Sequence, residues 1–355
     1  VNIGNIYHML GEWKNAEKFW LDAIDLNRVI GNLEQEAQIL LSYGVFYQDT
    51  NNFEKAISNW LQAHTIFNAL GMQDKRALAI SNIAEVNIQT CEYQNSYDDL
   101  NKALSIFKEL NNKEEEINTL FLLGKFWFIV GDYDELEKVL SKYEYNLYTE
   151  DNLSERFQIN YDYLKFLKNG LDIKSSPDNL EFLRLIEKCR ELEESNLYVE
   201  ILFFYVEFLI NSQKFDESIK YLNDKKLIGY VEKNILFRAQ REYLFGKIAQ
   251  LSRNENLKSP IDYFEYAYSL LEDQSINELT WKVLFTMAET FWERGNINKS
   301  KKPRLYAIEL LNMISDHITN NKIRNAYIER ADRKRAFERL KIMSNTTQLN
   351  EYQKS

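Results

Sequence analysis

Helix breakers are scarce in this sequence: proline occurs 3 times and glycine 11 times in 355 residues, against ordinary usage of about 5% and 7%. Alanine, leucine, glutamate and lysine fill the space they leave, so an all-helical chain is the first expectation. Cysteine is nearly absent. Cys91 and Cys189 lie far apart in the chain, which suits a reducing compartment and a cytoplasmic location. Positive charge is also in deficit. A net charge of −10 argues against a nucleic-acid partner, which would call for a basic face or stripe. No apolar run approaches the length of a membrane span and no signal-like start is present, so no membrane partner is expected.

The chemistry-bearing motifs are missing as well. There is no P-loop, no GxGxxG after a strand, no HExxH and no CxxC. The three histidines, His8, His64 and His317, fall on separate helices with no ligand at metal-binding spacing. They read as helix-surface or partly buried residues. Acidic runs such as Glu114-Glu115-Glu116 are solvated faces and partners of helix dipoles. No catalytic residue, cofactor or metal is assigned.

What the sequence does contain is a repeat. The small residues Gly4, Gly44, Ala84 and Gly124 recur every 40 residues. Three further columns keep the same register: Ala16, Ala56, Ser96 and Leu136; Trp20, Trp60, Leu100 and Leu140; Ala23, Ala63, Ala103 and Tyr143. Small residues at a helix crossing let two axes approach to about 8–10 Å, and a bulky residue three before the last small one is expected to fill the groove between hairpins. Turn signals fall between them at Gly11, Asn51 and Gly131, and again at Gly31, Gly71 and Asn111. These residues tolerate the left-handed conformation that ends a helix.

The series Gly4, Tyr7, Gly11, Ala16, Trp20, Ala23 and its echo Gly44, Tyr47, Asn51, Ala56, Trp60, Ala63 resemble the tetratricopeptide repeat. The usual period of that repeat is about 34 residues. The longer period here is similar to the extended-helix variant of kinesin light chains, peptide-pheromone receptors and the regulatory tails of bacterial signalling proteins. The resemblance implies an all-α fold, a right-handed α-α superhelix (solenoid) of helical hairpins with a C-terminal capping helix.

Regular repeats are expected over 1–150, a degenerate hairpin over 151–195 with a longer connection at Gly170–Pro177, and worn repeats over 196–318. Pro303 fits its helix only if Ser300 caps the start and leaves the proline in the first turn. A basic capping helix is expected over 319–341, where Lys and Arg outnumber Asp and Glu eight to three between Asn321 and Lys341. Ile323, Ala326, Tyr327, Ala331 and Phe337 would cover the last hairpin. Arg330, Arg333, Lys334 and Arg335 would face water, pair with acids, or dock an acidic partner. Residues 342–355 read as a disordered tail. The start at Val1, already inside the pattern, reads as part of a longer protein.

The resemblance also implies a function: a scaffold or regulatory module of a larger signalling protein that binds a protein or peptide in its concave groove. The alternative is a receptor for a short peptide or small ligand that changes the superhelix pitch. In register with the family, the groove positions one past the small residue are Asn5, Val45, Glu85 and Lys125. A turn further lie His8, Gln48, Ile88 and Phe128, and three before it lie Leu41 and Phe121. Asn5, Asn82 and Asn118 are candidate anchoring asparagines. The positions that match the family's carboxylate clamp hold Val1, Asn5, Leu41, Ser42, Leu78 and Asn82; the clamp's cations are missing there, so that family function is not expected of the first repeats.

Overall fold

The computed structural model describes residues 2–149, 154–169, 179–192, 195–252 and 254–352. The Gly170–Pro177 connection lies outside the described residues. Among them every regular element is a helix. The chain divides into two compact units: Val1–Leu123 with Tyr148–Asp151, and Gly124–Leu147 with Asn152–Ser355.

The first unit holds α1 (Asn2–Met9), α2 (Trp13–Ile30), α3 (Leu33–Asp49), α4 (Phe53–Ala69), α5 (Gln73–Gln89), α6 (Tyr93–Glu109) and the start of α7 (Lys113–Val130). Its punctuation is strictly periodic. Gly11, Gly31, Asn51, Gly71, Cys91 and Asn111 all have φ between 53° and 74°, one every 20 residues. At each, the next N–H reaches back five residues, as Asn52 does to the Tyr47 carbonyl (2.8 Å) and Met72 to that of Phe67 (2.9 Å). This bond satisfies a carbonyl that the helix end leaves orphaned. Cys91 carries no turn signal of its own. The register places it there, and Glu92 N–H closes on the Asn87 carbonyl at 2.8 Å all the same.

Within a hairpin the two helices touch where a small residue meets an indole. Trp60 and Ala56 are fully buried, and a Cβ placed on Gly44 would overlap the Trp60 ring. The Trp60 Nε1–H donates to the Leu41 carbonyl (3.1 Å). Gly4 meets Trp20 in the same way. Where the second helix carries serine, the crossing acquires a hydrogen bond: buried Ser96 donates from Oγ to the Ala84 carbonyl (2.9 Å).

The second unit continues with the rest of α7, α8 (Tyr133–Thr149), α9 (Glu155–Asn169), α10 (Asn179–Glu191) and α11 (Ser195–Asn211). Next come two short helices, α12 (Phe215–Leu222) and α13 (Lys225–Val231), then α14 (Ile235–Ser252) and α15 (Pro260–Leu271). The last are α16 (Glu278–Glu293), α17 (Ile297–His317), α18 (Asn321–Glu329) and α19 (Ala331–Tyr352). Asp224 separates α12 from α13 by accepting the Lys226 and Leu227 N–H groups (3.0 and 3.1 Å). Gly246 repeats the close approach, its missing Cβ leaving room for the Phe264 ring.

The register returns in α16 and α17, with a correction to the expected role of Ser300. Ser300 is not a cap: Asn296 precedes the helix, and Ser300 is buried four residues on, donating to the Ala288 carbonyl (2.9 Å). That bond repeats the Ser96–Ala84 contact. Pro303 consequently sits inside the helix, and its missing N–H leaves the Lys299 carbonyl without its helical donor. Arg304 occupies the tryptophan column, 16 residues past Ala288. Although an arginine, it is buried, and it donates to the Met343 carbonyl of α19 (2.8 Å). The expected capping helix is two helices, broken at Arg330, whose ψ of 133° is extended. α19 then runs to Tyr352, into the stretch 342–355 that the sequence reads as a tail.

Two substitutions test the crossing. Trp60→Ala should lower stability by roughly 3–5 kcal/mol. Gly44→Ala should lower it by about 1–3 kcal/mol through overpacking, although alanine alone gains about 1 kcal/mol over glycine inside a helix. Urea midpoints measure both, and a stabilised Gly44→Ala variant would mean that the crossing lies elsewhere.

Candidate partner-binding surface

In the first unit α3 and α5 are buried on most sides and each keeps one open face. On α3 that face carries Gln38, Ser42, Val45 and Asp49, and on α5 it carries Leu78, Asn82, Glu85 and Gln89. Steps of three and four residues keep each set on one side of its helix, and the two sets are the same positions 40 residues apart. The side chains of Asn82, Glu85 and Gln89 have no hydrogen-bond partner among the described residues.

The structure sorts the groove positions expected from sequence. Val45 is exposed, and Gln48, Asn82 and Glu85 are half-buried on or beside the open faces. Leu41 and Ile88 are each only 4% exposed. The position three before the small residue turns into the helix crossing, and the open position is the next one, held by Ser42 and Asn82. Asn5 is engaged internally, since its Oδ1 accepts the Trp20 indole N–H (3.0 Å). His8 lies 3.0 Å from Asp49 and packs against the rings of Trp13, Trp20 and Phe46. On α7, Asn118 and Phe121 are half-buried, and Asn118 donates to Glu115 (3.2 Å).

In the second unit the corresponding positions are occupied by the unit's own residues. Lys125 pairs with Glu200 of α11 (2.9 Å), which also accepts from the Tyr163 hydroxyl (3.4 Å). Burial and the Glu200 charge hold that phenol well above its usual range. Phe128 is 9% exposed, edge-on to Phe204. Sequence reasoning missed Gln38, whose only signal is its 40-residue spacing from Leu78, and named Ser42 and Leu78 only as positions where a carboxylate clamp lacks its cations.

In the basic C-terminal element Lys334 and Arg335 are exposed, whereas Arg330 is half-buried and Arg333 is buried. The Arg330 guanidinium donates to the Phe128 and Ile129 carbonyls (3.2 and 2.7 Å), and Arg333 donates to Ile129 as well (2.8 Å). These are the orphan carbonyls at the C-terminus of α7, where cations are favoured. Lys322 completes the clasp on Asp132 (3.4 Å) and Glu135 (2.5 Å). Arg333 is fully buried, stacked on Tyr327 at 3.8 Å and paired with Glu278 (2.9 Å). Glu278 also accepts from the Tyr327 hydroxyl (3.0 Å) and the Trp281 indole (2.9 Å). Arg335 and Arg339 bracket buried Glu289, each at 2.9 Å. The packed stripe is therefore Ile323, Tyr327, Arg333, Ala336 and Leu340, while Ala331 is exposed and Ala326 and Phe337 are half-buried. The break at Arg330 rotates α19 relative to α18, which is why one uninterrupted helical pattern misplaces Ala331.

Among the described residues, no three His, Cys, Asp or Glu side chains stand close enough to hold a metal ion. No helix among them is long and apolar enough to cross a membrane.

No protein-family model matches the chain. The Tonsoku-like protein of Drosophila melanogaster is 28% identical over 115 residues, a stretch spanning 32% of this chain and 8% of that protein. Among solved structures, a Rap protein complexed with competence and sporulation factor is similar with a TM-score of 0.58. The two are 15% identical, over 80% of this chain and 77% of that one. The apo form of the quorum sensor NprR from B. thuringiensis gives a TM-score of 0.49 at 14% identity, over 87% of this chain and 85% of that one. The likeness to the Rap protein shows the fold: an all-α helical-repeat architecture.

Removing the buried guanidinium strands Glu278, so Arg333→Ala should cost roughly 3 kcal/mol. Arg324→Ala, in an exposed pair with Asp316, should stay within about 1 kcal/mol. Denaturation curves for both variants decide whether the arginine is structural. Asp332 supplies a pH signature. Burial pushes its carboxyl up, but Arg330, Lys282 and Arg333 outweigh burial and hold it at about 2. Its unfolded value is about 3.9, so its contribution is complete above about pH 4 and is lost as pH falls towards 2. The melting temperature of the parent protein should fall across that window more steeply than that of Asp332→Asn.

Proposed function

We propose that the chain is a tetratricopeptide-type regulatory module of a signalling protein, binding a protein or peptide partner on the open faces of α3 and α5. The observation that carries this reading is the set of unsatisfied polar side chains beside apolar Val45 and Leu78. Asn82 and Gln89 present carboxamides with both a donor and an acceptor free. A carboxamide matches a peptide bond, offering its N–H to the carbonyl and its oxygen to the amide hydrogen. Glu85 adds an acceptor between them, and Val45 and Leu78 give an aliphatic side chain of the partner somewhere to lie.

The chemistry favours an extended peptide segment over a small ligand, because the free groups are spread along two helices. Support for a regulatory role comes from the similar Rap protein, whose structure is of a complex with competence and sporulation factor. In this reading the module binds and does not catalyse, and it lies in the cytoplasm.

Peptides selected from a random display library against the whole chain test the proposal. Selected sequences should lose at least about ten-fold in affinity on Asn82→Ala. They should also shift the radius of gyration measured by small-angle scattering. Peptides that bind equally well to a variant carrying both Asn82→Ala and Glu85→Ala would place binding elsewhere.

A further inference from the structure

The opposite side of α5 carries a second feature that the open face does not use. Arg76 and Ile83 lie two positions out of step with Leu78 and Glu85, which places them on the far side of a helix with 3.6 residues per turn. There a cleft of about 540 Å³ is lined by Leu61 and His64 of α4, Arg76 of α5, and Asp99, Lys102 and Ile106 of α6, among others. The volume is that of an ordinary ligand site, about 300–1,000 Å³.

Its polar groups are mismatched in charge. Lys102 takes Asp99 at 3.2 Å, which uses the one carboxylate in the cleft. Arg76 donates from Nη1 to the Asn68 side chain (2.9 Å), but its Nε is buried with no hydrogen-bond partner. His64 has no hydrogen-bond partner among the described residues. Burial lowers the His64 pKa first, Arg76 and Lys102 lower it further, and Asp99 alone opposes them. The imidazole is therefore neutral at pH 7 and can donate one hydrogen bond. With it neutral, Arg76 and Lys102 against Asp99 leave one uncompensated positive charge beside the apolar walls of Leu61 and Ile106.

We infer that this cleft is a carboxylate site, anchoring an aspartate or glutamate side chain flanked by aliphatic residues in a peptide segment of a partner protein. A carboxylate neutralises the single excess charge and can accept charge-assisted hydrogen bonds from the cations that line the cleft. A dianionic phosphate would leave a net negative charge next to Asp99. The flanking aliphatic side chains cover Leu61, which is 51% exposed.

The test uses the whole chain with ring-¹³C-labelled histidine. The chain has 3 histidines, and His64→Gln identifies the relevant signal. The probes are acetyl-Leu-Glu-Leu-amide, its glutamine counterpart and its phosphoserine counterpart. The glutamate peptide should move the His64 resonance saturably and raise its titration midpoint, because a bound anion stabilises the imidazolium. Arg76→Gln and Lys102→Gln should each weaken that binding at least about ten-fold, and Asn82→Ala should leave it unchanged. Lys102 lies on the rim, so its variant keeps the test intact if Arg76→Gln perturbs folding. The glutamine peptide binding as well as the glutamate peptide overturns the inference. So does tighter binding of the phosphoserine peptide at pH 7, or indifference to both substitutions.

Discussion

Everything in the first unit depends on how closely two helix backbones approach where Gly44 faces the Trp60 indole. The absent Cβ admits the ring, the ring fills the space between the two helices of the hairpin, and the Leu41 carbonyl receives its N–H. Once that distance is set, Ala56 and Ala63 must be small, and α3 must be buried on most of its circumference. The open face follows as a remainder: the few residues of α3 and α5 that no neighbour can cover. A left-handed residue every 20 positions keeps this remainder in register, so chemistry at one repeat is aligned with chemistry at the next.

That logic explains what the sequence revealed and what it concealed. The columns were legible because burial at a crossing tolerates few residue types, and glycine, alanine and tryptophan stand out from their surroundings. Cys91 was not legible as a turn, since its left-handed conformation is imposed by the register and not by its own preference. The open face was legible only to within one residue. Leu41 and Ile88 differ from Ser42 and Gln89 by a rotation of about 100°, which decides between core and solvent, and an aliphatic residue is compatible with both. Arg333 was misleading for a different reason. Charge is ordinarily a mark of the surface, and only the convergence of Tyr327, Glu278 and the Ile129 carbonyl makes its burial tolerable. Those partners come from three helices far apart in sequence, so no local pattern announces them.

The two sides of α5 differ in chemistry. One presents uncharged carboxamides and a carboxylate, suited to reading a backbone. The other presents a guanidinium, an ammonium and an imidazole against aliphatic walls, suited to one acidic side chain. The cationic cleft escaped notice in the sequence because His64, Arg76 and Lys102 sit on three successive helices with no common spacing. Its four charged or titratable residues converge only once the hairpins have stacked.

Stacked hairpins ordinarily behave as a line of neighbours, each stabilised by the next and able to fray from either end. The clasp of Arg330, Arg333 and Lys322 on the end of α7 changes that behaviour in the second unit. Its hydrogen bonds join residues as many as 204 positions apart, so they form only after the intervening helices are in place, and they carry a loop-closure cost that nearest-neighbour contacts avoid. In return the last helices cannot peel away without also exposing the carbonyls of the first. Loss of structure anywhere along the unit is thereby felt at both ends, and a linear array acquires the all-or-none cooperativity of a globular domain.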